Sequence, residues 1–150
     1  MKKNILYILL ALIIIIVIVV INISNVKIKQ NTIEKFNSEF EKYKDKTLYG
    51  ADILSIINKA IDNNKEYSIQ KDEKGNYIAN DENSLKVELI LLTLDDKGEE
   101  KEVTYPMETL EKAGLEEFIS SFSLTEFKIT NIEQNSLHRI SKITVKQLEM

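Results

Sequence analysis

The sequence predicts an α+β protein, with an N-terminal transmembrane helix that continues into amphipathic helices, then a mainly antiparallel sheet with two short helices. Three observations lead there. Residues 5–21 are unbroken apolar sequence in which only Tyr7 carries a polar atom. From Ile33 to Ile61 the apolar residues recur at helical spacing. From Glu66 onward the period falls to two, and the strands cluster between helices instead of alternating with them.

The first element is the anchor. Ile5 to Ile23 spans about 28 Å at ~1.5 Å per residue, close to the ~30 Å hydrocarbon core of a bilayer. Ile5, Leu9, Ile13, Val17 and Ile21 sample its length, and no polar stripe interrupts it. The run leaves through Asn22-Ile23-Ser24-Asn25-Val26, with no small-x-small cleavage site. The expectation is an uncleaved anchor in the cell membrane, with the lipid bilayer as its surroundings. Lys2 and Lys3 precede the span, and Lys27, Lys29 and Lys35 follow it. A short basic tail stays inside, which predicts a cytoplasmic N-terminus and an extracytoplasmic C-terminal domain. The expected divisions are 1–25 for tail and anchor, 26–46 for a juxtamembrane amphipathic helix, and 47–150 for the α+β domain.

Ile33, Phe36, Phe40 and Tyr43 form the apolar stripe of that juxtamembrane helix and are the candidate interaction residues. Large aromatic faces suit an internal groove better than a two-helix seam. Phe40 and Tyr43 are therefore expected to dock on the protein's own domain, with Ile33 and Phe36 partly free for a partner. Gly50 and Asp52 mark a break and an N-cap. Ile53, Ile56, Ile57, Ala60 and Ile61 then make a clean amphipathic helix, which Asp62-Asn63-Asn64 is expected to end.

EYSIQ and NYIAN flank KDEKG, a hairpin pattern with Gly75 in the turn. SLKVELILLTL is the strongest strand. Leu85, Val87, Leu89 and Leu91 share one face, and Ile90, Leu92 and Leu94 share the other, so it reads as central. DDKG turns into EEKEVTY. Pro106 suits a helix start and Gly114 a helix end, with Met107 and Leu110 on the apolar side. Leu115, Phe118, Ile119 and Phe122 form another helical stripe, and EFKITNIE and LHRISKITVKQLE form the last two strands. Ile132 and Ile140 fall out of phase with their strands. A bulge near Asn131–Ile132 or Arg139–Ser141 would restore each to the apolar side.

Chemistry is sparse. The net charge is −4, and there is no basic stripe, which argues against nucleic acid as a partner. With no cysteine there is no disulfide, thiolate metal site or cysteine nucleophile. His138 is the only histidine and reads as a strand residue facing solvent. KDEKGNYIANDEN fails the EF-hand spacing, because from Asp72 the glycine falls at the fourth position. No serine sits in a nucleophile motif, and there is no phosphate-binding glycine pattern. Neither catalytic nor metal-ligating residues are predicted, and no cofactor.

A basic N-terminus, a long apolar helix running into an amphipathic one, and a C-terminal antiparallel sheet together resemble the type IV pilins and pseudopilins over about residues 1–105. The resemblance implies an assembly role for the stem helix. Pilin precursors carry Gly or Ala ahead of the processed residue and Glu shortly after it. Here Lys2-Lys3-Asn4-Ile5 stands at that place, and the first acid is Glu34. The functional expectation is a non-enzymatic, single-pass membrane-anchored protein whose outer domain binds a protein partner or itself. The alternative is a cell-envelope enzyme or ligand-binding sensor with dispersed site residues.

Overall fold

The structure, a computed structural model, describes residues 2–149 and, within them, every side chain except those of residues 2–6, 8, 9, 115, 116, 119 and 120. Ile5 and Leu9 of the expected anchor, and Leu115 and Ile119 of the last helical stripe, have side chains outside the described set.

One helix, α1 (Lys2–Glu41), carries the apolar run and its amphipathic continuation. It passes unbroken through the polar exit expected at 25/26. Asn22, Ser24 and Thr32 hydrogen-bond the carbonyls of Ile18, Val20 and Ile28, each four residues back. Their polar groups are thus satisfied inside the helix. The helix ends at Glu41, earlier than the expected 46, and the chain turns through residues 42–46 with Asp45 at φ 59°. Contacts divide the chain into Met1–Lys35 and Phe36–Met150. The last turn and a half of α1 therefore belongs to the folded domain.

Within Phe36–Met150, α2 (Gly50–Glu66) starts on Tyr49 rather than on Gly50 or Asp52. Asp52 is the third helical residue, and its carboxylate accepts the Tyr49 N–H at 3.0 Å. Glycine is required at position 50 by proximity. A Cβ there would lie 2.6 Å from the Phe122 carbonyl oxygen. Asp62-Asn63-Asn64 does not end α2, because Asn63 and Asn64 are buried and hold other parts of the chain.

The expected hairpin at 66–80 is reduced to one bridge, Lys71 to Tyr77, without strands. Its flanks are mostly exposed, with only Tyr77 buried, so there is little buried apolar surface to hold a ladder. Four strands follow: β1 (Lys86–Leu94), β2 (Glu100–Pro106), β3 (Phe127–Gln134) and β4 (Ile140–Gln147). Between β2 and β3 come α3 (Met107–Ala113) and α4 (Leu115–Phe122). The sheet order is β2-β1-β4-β3. The two outer pairings are antiparallel hairpins, and the central β1–β4 pair is parallel. The sheet is thus mixed, with an antiparallel majority.

Both expected bulges occur. Ile129 pairs Val145 and Asn131 pairs Thr144, leaving Thr130 extra; Glu133 pairs Lys142 and Gln134 pairs Ile140, leaving Ser141 extra. Ile140 is consequently buried with Ile143 and Val145, and Ile132 packs against the same core. That core lies on one face of the sheet, where Val87, Leu89 and Leu91 meet Ile53, Ile56 and Ile57 of α2, Met107 and Leu110 of α3, and Phe118 of α4. Leu48 extends the sheet with a two-bond bridge to Phe127.

Candidate functional site

The expected site residues fall into two groups. Ile13, Val17 and Ile21 are exposed along α1, as are all the described apolar side chains from Tyr7 to Ile28. This helix is long and apolar enough to cross a membrane, and none of its apolar stretch is buried by the protein. The aromatic stripe is used differently. Phe40 is fully buried in the domain core, and Phe36 and Tyr43 pack against that core. The Tyr43 hydroxyl meets Ser55 Oγ at 3.1 Å, and the Phe36 and Phe40 rings lie 5.2 Å apart. Phe40 and Tyr43 dock as expected, Phe36 joins them, and Ile33 falls in the N-terminal unit.

The densest polar cluster lies at the heads of the two parallel strands. The Asn64 amide donates to the Leu85 carbonyl at 2.8 Å and accepts the Leu85 N–H at 2.9 Å. Asn37 does the same for β4, donating to the His138 carbonyl at 2.7 Å and accepting the Ile140 N–H at 2.9 Å. Each amide supplies the donor and acceptor that a neighbouring backbone would supply. Between them lies Arg139, which is buried. It donates to the Asn83 carbonyl at 2.9 Å and to Asn63 Oδ1 at 2.7 Å. Its guanidinium lies 3.5 Å from the Phe36 ring centroid and 5.4 Å from that of Tyr67. Burial pushes its pKa below the ordinary arginine value, opposed by Tyr67 and Glu66. Among the described residues, no carboxylate forms an ion pair with it.

Sequence reasoning missed this cluster, although one signal was present. Asn64 lies three residues after Ile61 and four after Ala60, in phase with the buried stripe. A polar residue at such a position needs a buried partner. Chemically the cluster is a clasp, since its amides are engaged by the protein's own backbone and by Arg139.

A cleft of about 420 Å³ lies between the turn at 72–79 and the start of β1, lined by Asp72, Tyr77, Lys86, Glu88, Pro106 and Glu108. Glu108 is buried, and one of its oxygens accepts the Tyr77 N–H at 2.9 Å. Among the described residues the buried Tyr77 hydroxyl has no hydrogen-bond partner, and the Lys71 ammonium lies 4.3 Å from the ring centroid. Glu111 receives Lys71 at 3.0 Å and Lys65 at 3.4 Å. Burial pushes Glu111 up, but the two lysines outweigh it and leave its pKa lowered. Asp72 is lowered chiefly by the Asn76 backbone N–H within its own turn. Asp72, Glu108 and Glu111 thus each have a local structural partner.

His138 lies in the β3–β4 turn, not in a strand as expected, and is exposed. Its φ of 60° explains the difference, since a left-handed residue leaves the ladder. Among the described residues no group of three or more His, Cys, Asp or Glu side chains is placed to hold a metal ion. Compared with known proteins, the chain matches no family model, no curated protein and no solved structure.

Proposed function

We propose that this is a non-enzymatic, single-pass membrane protein. Its N-terminus is cytoplasmic and its domain extracytoplasmic, and the domain acts by protein contact at the cell envelope. The observation that carries the reading is α1 itself. An apolar span with no covering protein runs without a break into turns that are part of a folded domain. A cleaved signal would have no reason to be continuous with a core-forming helix. The polar clusters support a binding role over a chemical one, because their side chains hold the fold together. The rival, an envelope enzyme or ligand sensor, would place its site in the cleft beside Glu108, where one carboxylate is already engaged by a backbone N–H.

The test is made on the intact protein in its membrane. Its mass after extraction should retain Lys2 and Lys3, and protease added to wall-stripped cells should cut beyond residue 46. A mature start near Ser24 would reject the anchor. Protection in sealed cells, with digestion only after lysis, would reject the outward orientation.

A further inference from the structure

Residues 24–35 of α1 lie between two stretches that are held helical by their surroundings. In the anchored reading, the apolar run before them sits in hydrocarbon, where an unmade backbone hydrogen bond is costly. After them, Phe36, Asn37 and Phe40 are packed into the domain. The segment between has neither support. All of its residues are exposed except Ile33, which is half-buried, and all belong to the N-terminal unit.

A helix without a buried face stands in water only when many i,i+4 pairs brace it. Lys27, Lys29, Glu34 and Lys35 are the charged residues of this segment, and no two of opposite sign within it are three or four apart. Ser24, Asn25, Val26, Ile28, Asn31, Thr32 and Ile33 all come from the weaker helix formers. The β-branched ones lose χ1 freedom, and the short polar ones compete for the backbone. That competition is visible. The Ser24 and Thr32 hydroxyls bond back to the Val20 and Ile28 carbonyls at 2.9 Å. Val26 and Ile28 stand 57% and 63% exposed and bury nothing. The segment is therefore helical only by propagation from its two ends.

We propose that residues 24–35 are an extendable joint, in which the helix of this structure exchanges with open chain while anchor and domain stay folded; the proposal rests on the anchored reading above. As a helix the segment is about 18 Å long at ~1.5 Å per residue. Opened, it reaches up to about 40 Å. Opening stops at the first residues that the domain holds. The Phe36 ring stays against the Arg139 guanidinium, and Asn37 stays on the Ile140 N–H. The domain is thus presented over a range of distances from the bilayer without any change in its own core, which gives a protein-contact domain reach.

Amide hydrogen exchange on the full chain in lipid vesicles, at two protein-to-lipid ratios, reads the joint. The amides of residues 28–35, whose helical acceptors are the carbonyls of 24–31, are expected to exchange within about tenfold of the open-chain rate. Those of residues 12–20, and of Ile57, Ala60 and Ile61 in α2, should be slower by orders of magnitude. Asn25→Ala, Asn31→Ala and Thr32→Ala together place the best helix former at three exposed positions. This triple variant should slow exchange at 28–35 several-fold and leave α2 unchanged. Protection at 28–35 equal to that of α2 at both ratios would show a rigid spacer and overturn the joint. Protection that falls as the protein is diluted in lipid would show a second copy covering the segment, and would also overturn it. So would exchange that ignores the alanine variant. Sedimentation with carbonate-washed membranes reads the anchor separately. A soluble chain would reject the anchored reading and the joint with it, whereas a sedimenting chain protected at 28–35 rejects the joint alone.

Discussion

At the scale of single residues, three turns of this domain are built alike. Asp72, Asp95 and Asn135 each use one side-chain oxygen to accept two N–H groups, two and four residues ahead. In each, the residue three ahead returns an N–H to the first residue's carbonyl and has positive φ: Gly75 at 84°, Gly98 at 79° and His138 at 60°. Two of the three use glycine, as the left-handed conformation favours. The third uses histidine, and a side chain there costs about 1 kcal/mol. The lone histidine is thus a strained turn residue whose carbonyl is held by Asn37. His138→Gly keeps that carbonyl and removes the Cβ. It should raise stability by about 0.5–1 kcal/mol in urea titration. A loss of stability would mean that the imidazole makes a contact worth more than the strain. The sequence showed DEKG and DDKG as turns because glycine announces them. NSLH carried no such mark, which is why His138 was read as part of a strand.

At the scale of elements, β1 and β4 show what sequence pattern conveys and where it stops. The alternation in β1 correctly placed Leu85, Val87, Leu89 and Leu91 in the core. The phase slips at Ile132 and Ile140 correctly located both bulges, because a period of two makes one extra residue visible. Pattern could not show that β1 and β4 run parallel, since strand direction leaves no trace in alternation. It marked Asn64 as a polar residue in the buried stripe but not its partners, because Asn64 and Arg139 acquire partners only when distant segments meet. The bulge at Ser141 can be tested directly. Deleting Ser141 would turn either Ile140 or the run Ile143–Val145 toward solvent. Exposing one such side chain costs about 1.5–3 kcal/mol. Ser141→Ala keeps the extra residue and should stay within about 0.5 kcal/mol of the parent. Equal stabilities for the deletion and the alanine variant, with β4 pairing intact by hydrogen exchange, would show that the bulge is not what directs Ile140 inward.

At the scale of the whole molecule, the division of the chain falls between Lys35 and Phe36, inside a continuous helix. The sequence suggested 46/47, where the helical pattern stops and Gly50 breaks the chain. Helical periodicity reports only that a stripe will be buried, and not which body buries it. The residues at stake are few but central. Phe40 is fully buried, Asn37 completes the head of β4, and Phe36 lies against the Arg139 guanidinium. A fragment of residues 36–150 retains all three and should fold cooperatively without the apolar stretch of α1. A fragment of residues 47–150 loses a large buried aromatic, for which truncation costs about 3–5 kcal/mol. It also leaves the Ile140 N–H and the His138 carbonyl without Asn37, at about 1–3 kcal/mol for each group that remains buried. Against a domain stability of about 5–15 kcal/mol, these losses together take most or all of the margin. The longer fragment should therefore give a sigmoidal urea transition and a dispersed amide spectrum, and the shorter one neither. If residues 47–150 alone unfolded cooperatively with the stability of 36–150, the end of α1 would be a passenger on the domain. The apolar stretch of α1 would then join it through a flexible tether instead of through a helix built into its core.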